Sequence, residues 1–304
     1  MDSRNTIVVI AGPTGVGKTD LALGLAERFG AEIISADSRQ CYREMNIGVA
    51  RPSPEELERI PHYFIATHSV TEPVNAATFV QEAGQAAASA FSRKDLVLLV
   101  GGTGLYIKAF TEGIDPIPPI PEETRRAVRE GYASGGLVWL QTEVRRRDPA
   151  WYEGGEGQNP HRLMRALEVV EATGRSIRAF QSGSPQKPGF HLVKIGLELP
   201  RELLYQRIDK RVDRMMEAGL LEEVRGLQNQ KGEKALDTVG YKELFACLDG
   251  QTTLATAAAL IKQHTRNYAK RQLTWFKRDP DTQWFGPDEL DAVEAYVRRR
   301  LAAF

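Results

Sequence analysis

The chain alternates between two hydrophobic rhythms. Thr6-Ile7-Val8-Val9-Ile10-Ala11 is a short β-branched run that ends at a glycine-rich turn. Such a run, without polar alternation, predicts a strand buried on both faces. Lys18 to Phe29 then carries Leu21, Leu25 and Phe29 at near-helical spacing and stops at Gly30, which predicts a helix. Ala31-Glu32-Ile33-Ile34-Ser35-Ala36 predicts a second strand ending at Asp37-Ser38, and Thr78 to Phe91, rich in Ala, a second helix. Asp95-Leu96-Val97-Leu98-Leu99-Val100 predicts a third strand, followed by Gly101-Gly102-Thr103-Gly104. His191-Leu192-Val193-Lys194-Ile195-Gly196-Leu197 predicts a late one. Strands alternating with helices imply an α/β fold, an open parallel sheet flanked by helices. Ligands in such sheets sit at the carboxyl ends of strands, where Asp37 and Thr103 fall.

The middle of the chain breaks this rhythm. Ile114-Asp115-Pro116-Ile117-Pro118-Pro119-Ile120-Pro121 reads as a stiff linker. Ser182-Gly183-Ser184-Pro185-Gln186-Lys187-Pro188-Gly189 is a second punctuated stretch. The pattern between them is helical with no strand-like run, so residues 116–189 are expected to form an inserted helical domain within a core made of 1–115 and 190–304. After Pro200 the pattern predicts helices to the end. The insertion carries ten Arg and no Lys between Glu122 and Arg178, against nine acidic residues. Arg suits forked contacts to phosphate; a solvated surface uses the same residues.

Composition narrows the class. A chain of 304 residues with 42% hydrophobic and 26% charged positions can bury a sizeable core. Lys plus Arg is 40 and Asp plus Glu is 40, so any nucleic-acid contact must come from local patches. Two cysteines, Cys41 and Cys247, make neither a disulfide framework nor a zinc site, which suits a reducing compartment. Met1-Asp2-Ser3-Arg4-Asn5 runs into the first strand without a signal-peptide apolar region, and no apolar run reaches bilayer length. The expectation is a cytoplasmic monomer with no membrane partner.

Gly12-Pro13-Thr14-Gly15-Val16-Gly17-Lys18-Thr19 matches the phosphate-binding P-loop in full, between a predicted strand and a predicted helix. Its backbone N–H groups and the helix N-terminus favour phosphate oxygens, Lys18 reaches the terminal phosphate, and the Thr19 hydroxyl can hold Mg²⁺. The motif specifies a diphosphate or triphosphate, not a nucleotide. P-loop ATPases also use a strand-tip Asp for Mg²⁺, yet the strand Leu96 to Val100 ends in Gly101-Gly102-Thr103-Gly104. Asp37 admits three readings: a general base toward an attacking amine, a Mg²⁺-positioning group, or a helix cap. Thr103 can donate to a leaving phosphate oxygen or stabilise its own turn.

Two basic segments follow. Arg207, Arg211 and Arg214 share one helix face, opposite Leu203, Leu204, Ile208, Val212 and Met215. The arginine face can neutralise a leaving diphosphate or lie in solvent beside Glu202, Asp209 and Asp213. Ile261 to Arg278 holds six Lys or Arg and no acid, with Lys262, Arg266 and Lys270 on one face. This segment is a nucleic-acid contact candidate or the basic outer face of an amphipathic helix. Tyr268, Trp275 and Phe276 could stack on bases or pack in the core.

Together these segments resemble the bacterial tRNA dimethylallyltransferase family. The resemblance rests on Gly12 to Thr19, Asp37 to Gln40 with Tyr42, Val100 to Tyr106, Arg165 to Val169, Arg211 to Asp213, Val239 to Glu243 and Ala269 to Phe276. It implies transfer of a dimethylallyl group from its diphosphate to the exocyclic amine of the adenosine 3′ to the anticodon, with pyrophosphate released and Mg²⁺ as cofactor. It makes Asp37 the base, with Thr103 and Arg211 as its catalytic partners and Lys18, Thr19 and Arg211 on the diphosphate. It places the anticodon stem-loop against Asp37, Ser38, Arg39, Gln40, Thr103, Arg125 and the run His161, Arg162, Leu163, Met164 and Arg165. Lys262, Arg266 and Lys270 would add contacts to the stem. His161 departs from the Gln that many members carry there. The P-loop alone would also fit a small-molecule kinase or NTPase, the core alone a prenyl transfer to free AMP, and the basic segments alone an RNA-binding module.

Overall fold

The computed structural model describes residues 5–115, 117–154, 157–181 and 189–304. The chain forms two compact units, one from Met1–Glu112 with Lys187–Phe304 and the other from Gly113–Gln186.

The first unit begins with β1 (Thr6–Ala11), the P-loop and α1 (Lys18–Phe29). Gly17 and Gly30 bound that helix, both in the left-handed region at φ 109° and 60°, where a side chain would be strained. Then come β2 (Glu32–Ser35), the short helix α2 (Pro54–Arg59) and β3 (His62–Tyr63). The helix α3 (Ala76–Phe91) starts two residues earlier than its Ala-rich stretch suggests, because the Asn75 side chain accepts the N–H groups of Ala77 and Thr78. β4 (Leu96–Gly101) leads directly through Gly102 and Thr103 into α4 (Gly104–Glu112).

The second unit holds α5 (Glu122–Arg147), α6 (Pro149–Tyr152) and α7 (Pro160–Thr173), with a short 3-10 turn at Ile177–Phe180. It contains no strand among the described residues. Its own core gathers Leu140, Val144, Leu163, Ala166 and Val169. α5 breaks at Gly136, whose φ of 63° and ψ of −160° leave the helical region.

The chain re-enters the first unit at β5 (His191–Leu197) and continues through α8 (Arg201–Glu217), α9 (Leu220–Gly226), α10 (Tyr241–Leu248) and α11 (Leu254–Phe276). The expectation of helices to the end fails here. Gln283–Phe285 forms β6, an edge strand paired parallel with β5, before the last helix α12 (Leu290–Leu301). Three residues are too few to display a period of two, so β6 left no legible pattern.

The sheet order is β3-β2-β4-β1-β5-β6, with every pair parallel. β1 lies inside, flanked by β4 and β5. Its side chains divide by alternation: Ile7, Val9 and Ala11 join one hydrophobic cluster, Val8 and Ile10 the other. β4 divides likewise, Val97 and Leu99 against Leu96 and Leu98. Both faces of these two strands are therefore largely dry, and the candidate chemistry gathers at the strand ends. α8 buries Leu204, Ile208 and Val212 at helical spacing, but Leu203, expected beside them, is 49% exposed because it lies on the helix's outer side.

Candidate active site

A cavity of about 820 Å³ opens at the carboxyl ends of β1, β2 and β4 within the first unit. The P-loop forms one wall, the turn after β2 a second, and α8 and α11 a third. Seven Lys or Arg side chains and three Asp line it, so this region is strongly cationic in a chain of zero net charge. Such a concentration favours an anionic ligand.

The loop between β1 and α1 is the candidate anion cradle. Lys18 donates through Nζ to the Gly12 and Pro13 carbonyls at 3.0 and 2.8 Å, so the ammonium rests on its own loop. The first-turn N–H groups of α1 have no intrahelical acceptor and open toward the same side. Burial holds the Lys18 pKa down to about 8, with the Arg211 charge pushing the same way and Asp37 pulling back. Burial also lowers the Arg211 pKa, again opposed by Asp37. Lys18, Arg211 and Asp37 thus form one electrostatic group. Arg207 donates to the Val16 carbonyl at 3.1 Å, which braces the loop, and Arg214 lines the same wall. Thr19 is exposed at the rim.

The turn after β2 settles what Asp37 does locally. Oδ1 accepts the N–H groups of Arg39 and Gln40 at 2.8 and 3.3 Å, a turn-capping arrangement. The residue also lines the cavity. Capping and an active role are therefore compatible, because one oxygen caps and no hydrogen bond reaches the other among the described residues. The tips of β2 and β4 are tied: Ser38 donates its N–H to Thr103 Oγ1 at 3.0 Å, and Thr103 donates its own to the Ala36 carbonyl at 3.1 Å. A Cβ on Gly101 would lie 2.2 Å from that same Ala36 oxygen, so glycine is required for this approach. Gln40 accepts from Ser35 and donates to the Val49 and Ala50 carbonyls, so its amide braces the cavity wall.

α11 contributes Tyr268, one of the three aromatics named from the sequence, and Gln272, which patterning did not single out. Tyr268, half-exposed, lines the cavity. Burial first and the Asp37 charge second push its phenol up to about 12; Arg39, Arg271 and a hydrogen bond with Thr103 oppose this. Gln272 is buried, accepts the Thr14 N–H at 2.9 Å and donates to the Gly102 carbonyl at 2.9 Å. Of the other two aromatics, Phe276 is core and Trp275 packs against Gly104.

The basic face of α11 is partly taken up by ion pairs. Lys262 pairs with Asp213 and Arg266 with Asp209, each at 2.5 Å, because α11 packs along α8. These two cations hold helices together, while Lys270 is exposed. In the second unit His161 and Arg162 are exposed at the start of α7, and Met164 and Arg165 are half-buried. Leu163 is fully buried in that unit's core, so its side chain packs the helix and offers no surface for RNA. Arg125 is half-buried near the start of α5, with its Nε unpaired.

Comparison with known proteins points the same way as the geometry. The family model described as IPP transferase matches residues 40–279. The chain is 44% identical to "tRNA dimethylallyltransferase 1" of Bacteroides thetaiotaomicron, across 96% of this chain and 95% of that one. It is 45% identical to "tRNA dimethylallyltransferase" of Christiangramia forsetii, across 96% and 99%. Among solved structures, the full-length tRNA isopentenylpyrophosphate transferase of Bacillus halodurans superposes with a TM-score of 0.74 at 34% identity, covering 98% of this chain and 97% of that one. A eukaryotic dimethylallyltransferase acting on tRNA gives 0.78 at 26% identity, covering 97% and 77%.

Proposed function

The chain belongs to the IPP transferase family, and from that premise we infer how its cavity works. The enzyme is a prenyltransferase that moves a dimethylallyl group to tRNA near the anticodon. The finer assignment is transfer from dimethylallyl diphosphate to the exocyclic amine of the adenosine 3′ to the anticodon. The observation that carries it is the meeting of a P-loop, a strand-tip carboxylate and an arginine helix in one cationic cavity.

The diphosphate lies in the cradle, with Lys18 and Arg211 on its oxygens. Val212, Met215, Leu220, Val239 and Ile261 give the same cavity an apolar wall suited to a five-carbon tail. The bond between the allylic carbon and the bridging oxygen breaks, and the electron pair leaves with pyrophosphate. Lys18, Arg211 and the loop N–H groups stabilise the charge that develops there, and Thr103 donates near the bridging oxygen. The adenine amine forms the new carbon–nitrogen bond, and Asp37 takes the proton that the amine must lose. The base leaves its stack to enter, at a cost of a few kcal/mol, least in a single-stranded loop. Mg²⁺ fits this donor set: hard cations of this size are held through substrate phosphates with few protein oxygens, and Thr19 supplies one. When bound it would further neutralise the diphosphate. No group of three or more His, Cys, Asp or Glu that could hold a metal occurs among the described residues.

Ser38, Arg39, Gln40, Thr103 and Lys270, with Arg125, His161, Arg162 and Arg165 of the second unit, are assigned to the anticodon stem-loop, Gln40 as a brace behind the contact. No helix among the described residues is long and apolar enough to cross a membrane. We place the enzyme in the cytoplasm as a monomer. Incubation with labelled dimethylallyl diphosphate and an anticodon stem-loop should move label into the RNA. The same loop with inosine at the target position should stay unlabelled, as should free AMP. Label in AMP, or ATP hydrolysis without RNA labelling, would refute the assignment.

A further inference from the structure

We propose that Gln272 is a positioning residue of the transfer reaction, fixing the anion cradle relative to the Thr103 turn. Its carboxamide is the one side chain hydrogen-bonded to both pieces among the described residues. Oε1 accepts the N–H of Thr14 in the P-loop, and Nε2 donates to the carbonyl of Gly102, one residue before Thr103. The two pieces come from different strands, β1 and β4, and a carboxamide is the group that can accept from one and donate to the other. Gln272 is 6% exposed and its bond to Gly102 is buried, so that carbonyl left unpaired would carry a desolvation cost. The fit is close: a Cβ on Gly102 would lie 2.2 Å from Nε2. One turn earlier on the same helix, Tyr268 lines the same cavity. α11 therefore ties the cradle to the Thr103 turn through the Gln272 side chain.

The consequence is chemical. The developing pyrophosphate charge and the Thr103 hydroxyl must meet to within a few tenths of an ångström for a hydrogen bond to strengthen in the transition state. Gln272 also occupies the Thr14 N–H, leaving the later N–H groups of the loop for phosphate. Gln272→Met keeps the length and packing of the side chain and removes both bonds. Gln272→Glu keeps an acceptor for Thr14 but loses the donor to Gly102 when ionised, and regains it when protonated.

The inference rests on the transfer reaction proposed above, and three readouts separate the two. For Gln272→Met, kcat should fall about 10- to 100-fold with the KM for the stem-loop within twofold, and the calorimetric Kd for pyrophosphate should rise several-fold. Combined with Thr103→Ala, it should cost little more than Thr103→Ala alone, since residues acting through one another are not additive. The Gln272→Glu rate, divided by the wild-type rate at each pH, should climb as the pH falls from 8 to 6. A fold that cannot accept Met leaves this last profile as the deciding measurement. Unchanged kcat and pyrophosphate affinity in Gln272→Met, strict additivity with Thr103→Ala, or a flat Gln272→Glu ratio would each overturn the role. Should the wild-type protein transfer no label, the transfer reading fails, while pyrophosphate binding still decides whether Gln272 holds the cradle.

Discussion

Replacing Asp37 by Asn is expected to lower kcat for prenyl transfer by about 10²- to 10⁴-fold, the range for losing a general base, with stem-loop affinity within a few-fold of wild type. Asparagine is the informative choice because the proposed mechanism gives Asp37 two jobs. Its Oδ1 caps the turn by accepting from Arg39 and Gln40, and an Asn carbonyl oxygen can do the same. What Asn cannot do is accept a proton from the amine. Alanine would remove both functions and mix a collapsed turn, at about 1 kcal/mol for a lost cap, with lost chemistry. The Asn variant should keep its melting temperature and its RNA Kd and lose its rate. A rate near wild type, or a large rise in RNA Kd at unchanged rate, would make Asp37 a structural or recognition residue.

Replacing Arg211 by Ala should reduce kcat/KM for dimethylallyl diphosphate by about 10²- to 10³-fold, comparable to removing one oxyanion donor. Arg211 is half-buried against Lys18 and Asp37, so its charge acts with little screening. Lysine should not restore it fully, since an ammonium lacks the planar fork that grips two oxygens. The same loss has an internal check in the pH dependence. Lys18 has a pKa of about 8 in the free protein, lowered by burial and then by Arg211. A bound diphosphate raises it again, because it favours the charged form. Affinity for pyrophosphate should therefore be full below about pH 8 and fall as the pH rises from there toward the ordinary lysine value of 10.5. In Arg211→Ala that fall should begin at higher pH, since one of the two causes of the lowered value is gone. An unmoved profile would mean that Arg211 and Lys18 act on separate anions.

The sequence displayed the cradle and the two strand tips because each is a local feature. A β-branched run, a glycine loop and a helix onset specify the P-loop within a few residues. Asp37 and Thr103 followed from the rule that parallel strands deliver ligands at their carboxyl ends. The features that escaped were those needing a partner from elsewhere in the chain. Lys262 and Arg266 form a basic stripe on a helical wheel, yet Asp213 and Asp209 of α8 face them in the fold. Leu163 sat in a run expected to contact RNA but is interior, packed with Ala166, Leu167 and Val169 of the same helix. Gln272 lay within a segment read for its charge, and nothing local announced that its amide would join two strands. β6 was too short to register and is held by its pairing with β5.

The most direct test is a crystal structure with the thiolo analogue of dimethylallyl diphosphate and an unmodified anticodon stem-loop. The diphosphate should lie against Lys18 and Arg211, with the extruded adenine amine within hydrogen-bond reach of the free Asp37 oxygen. A diphosphate held elsewhere, or an Asp37 carboxylate turned away from the amine, would contradict the account.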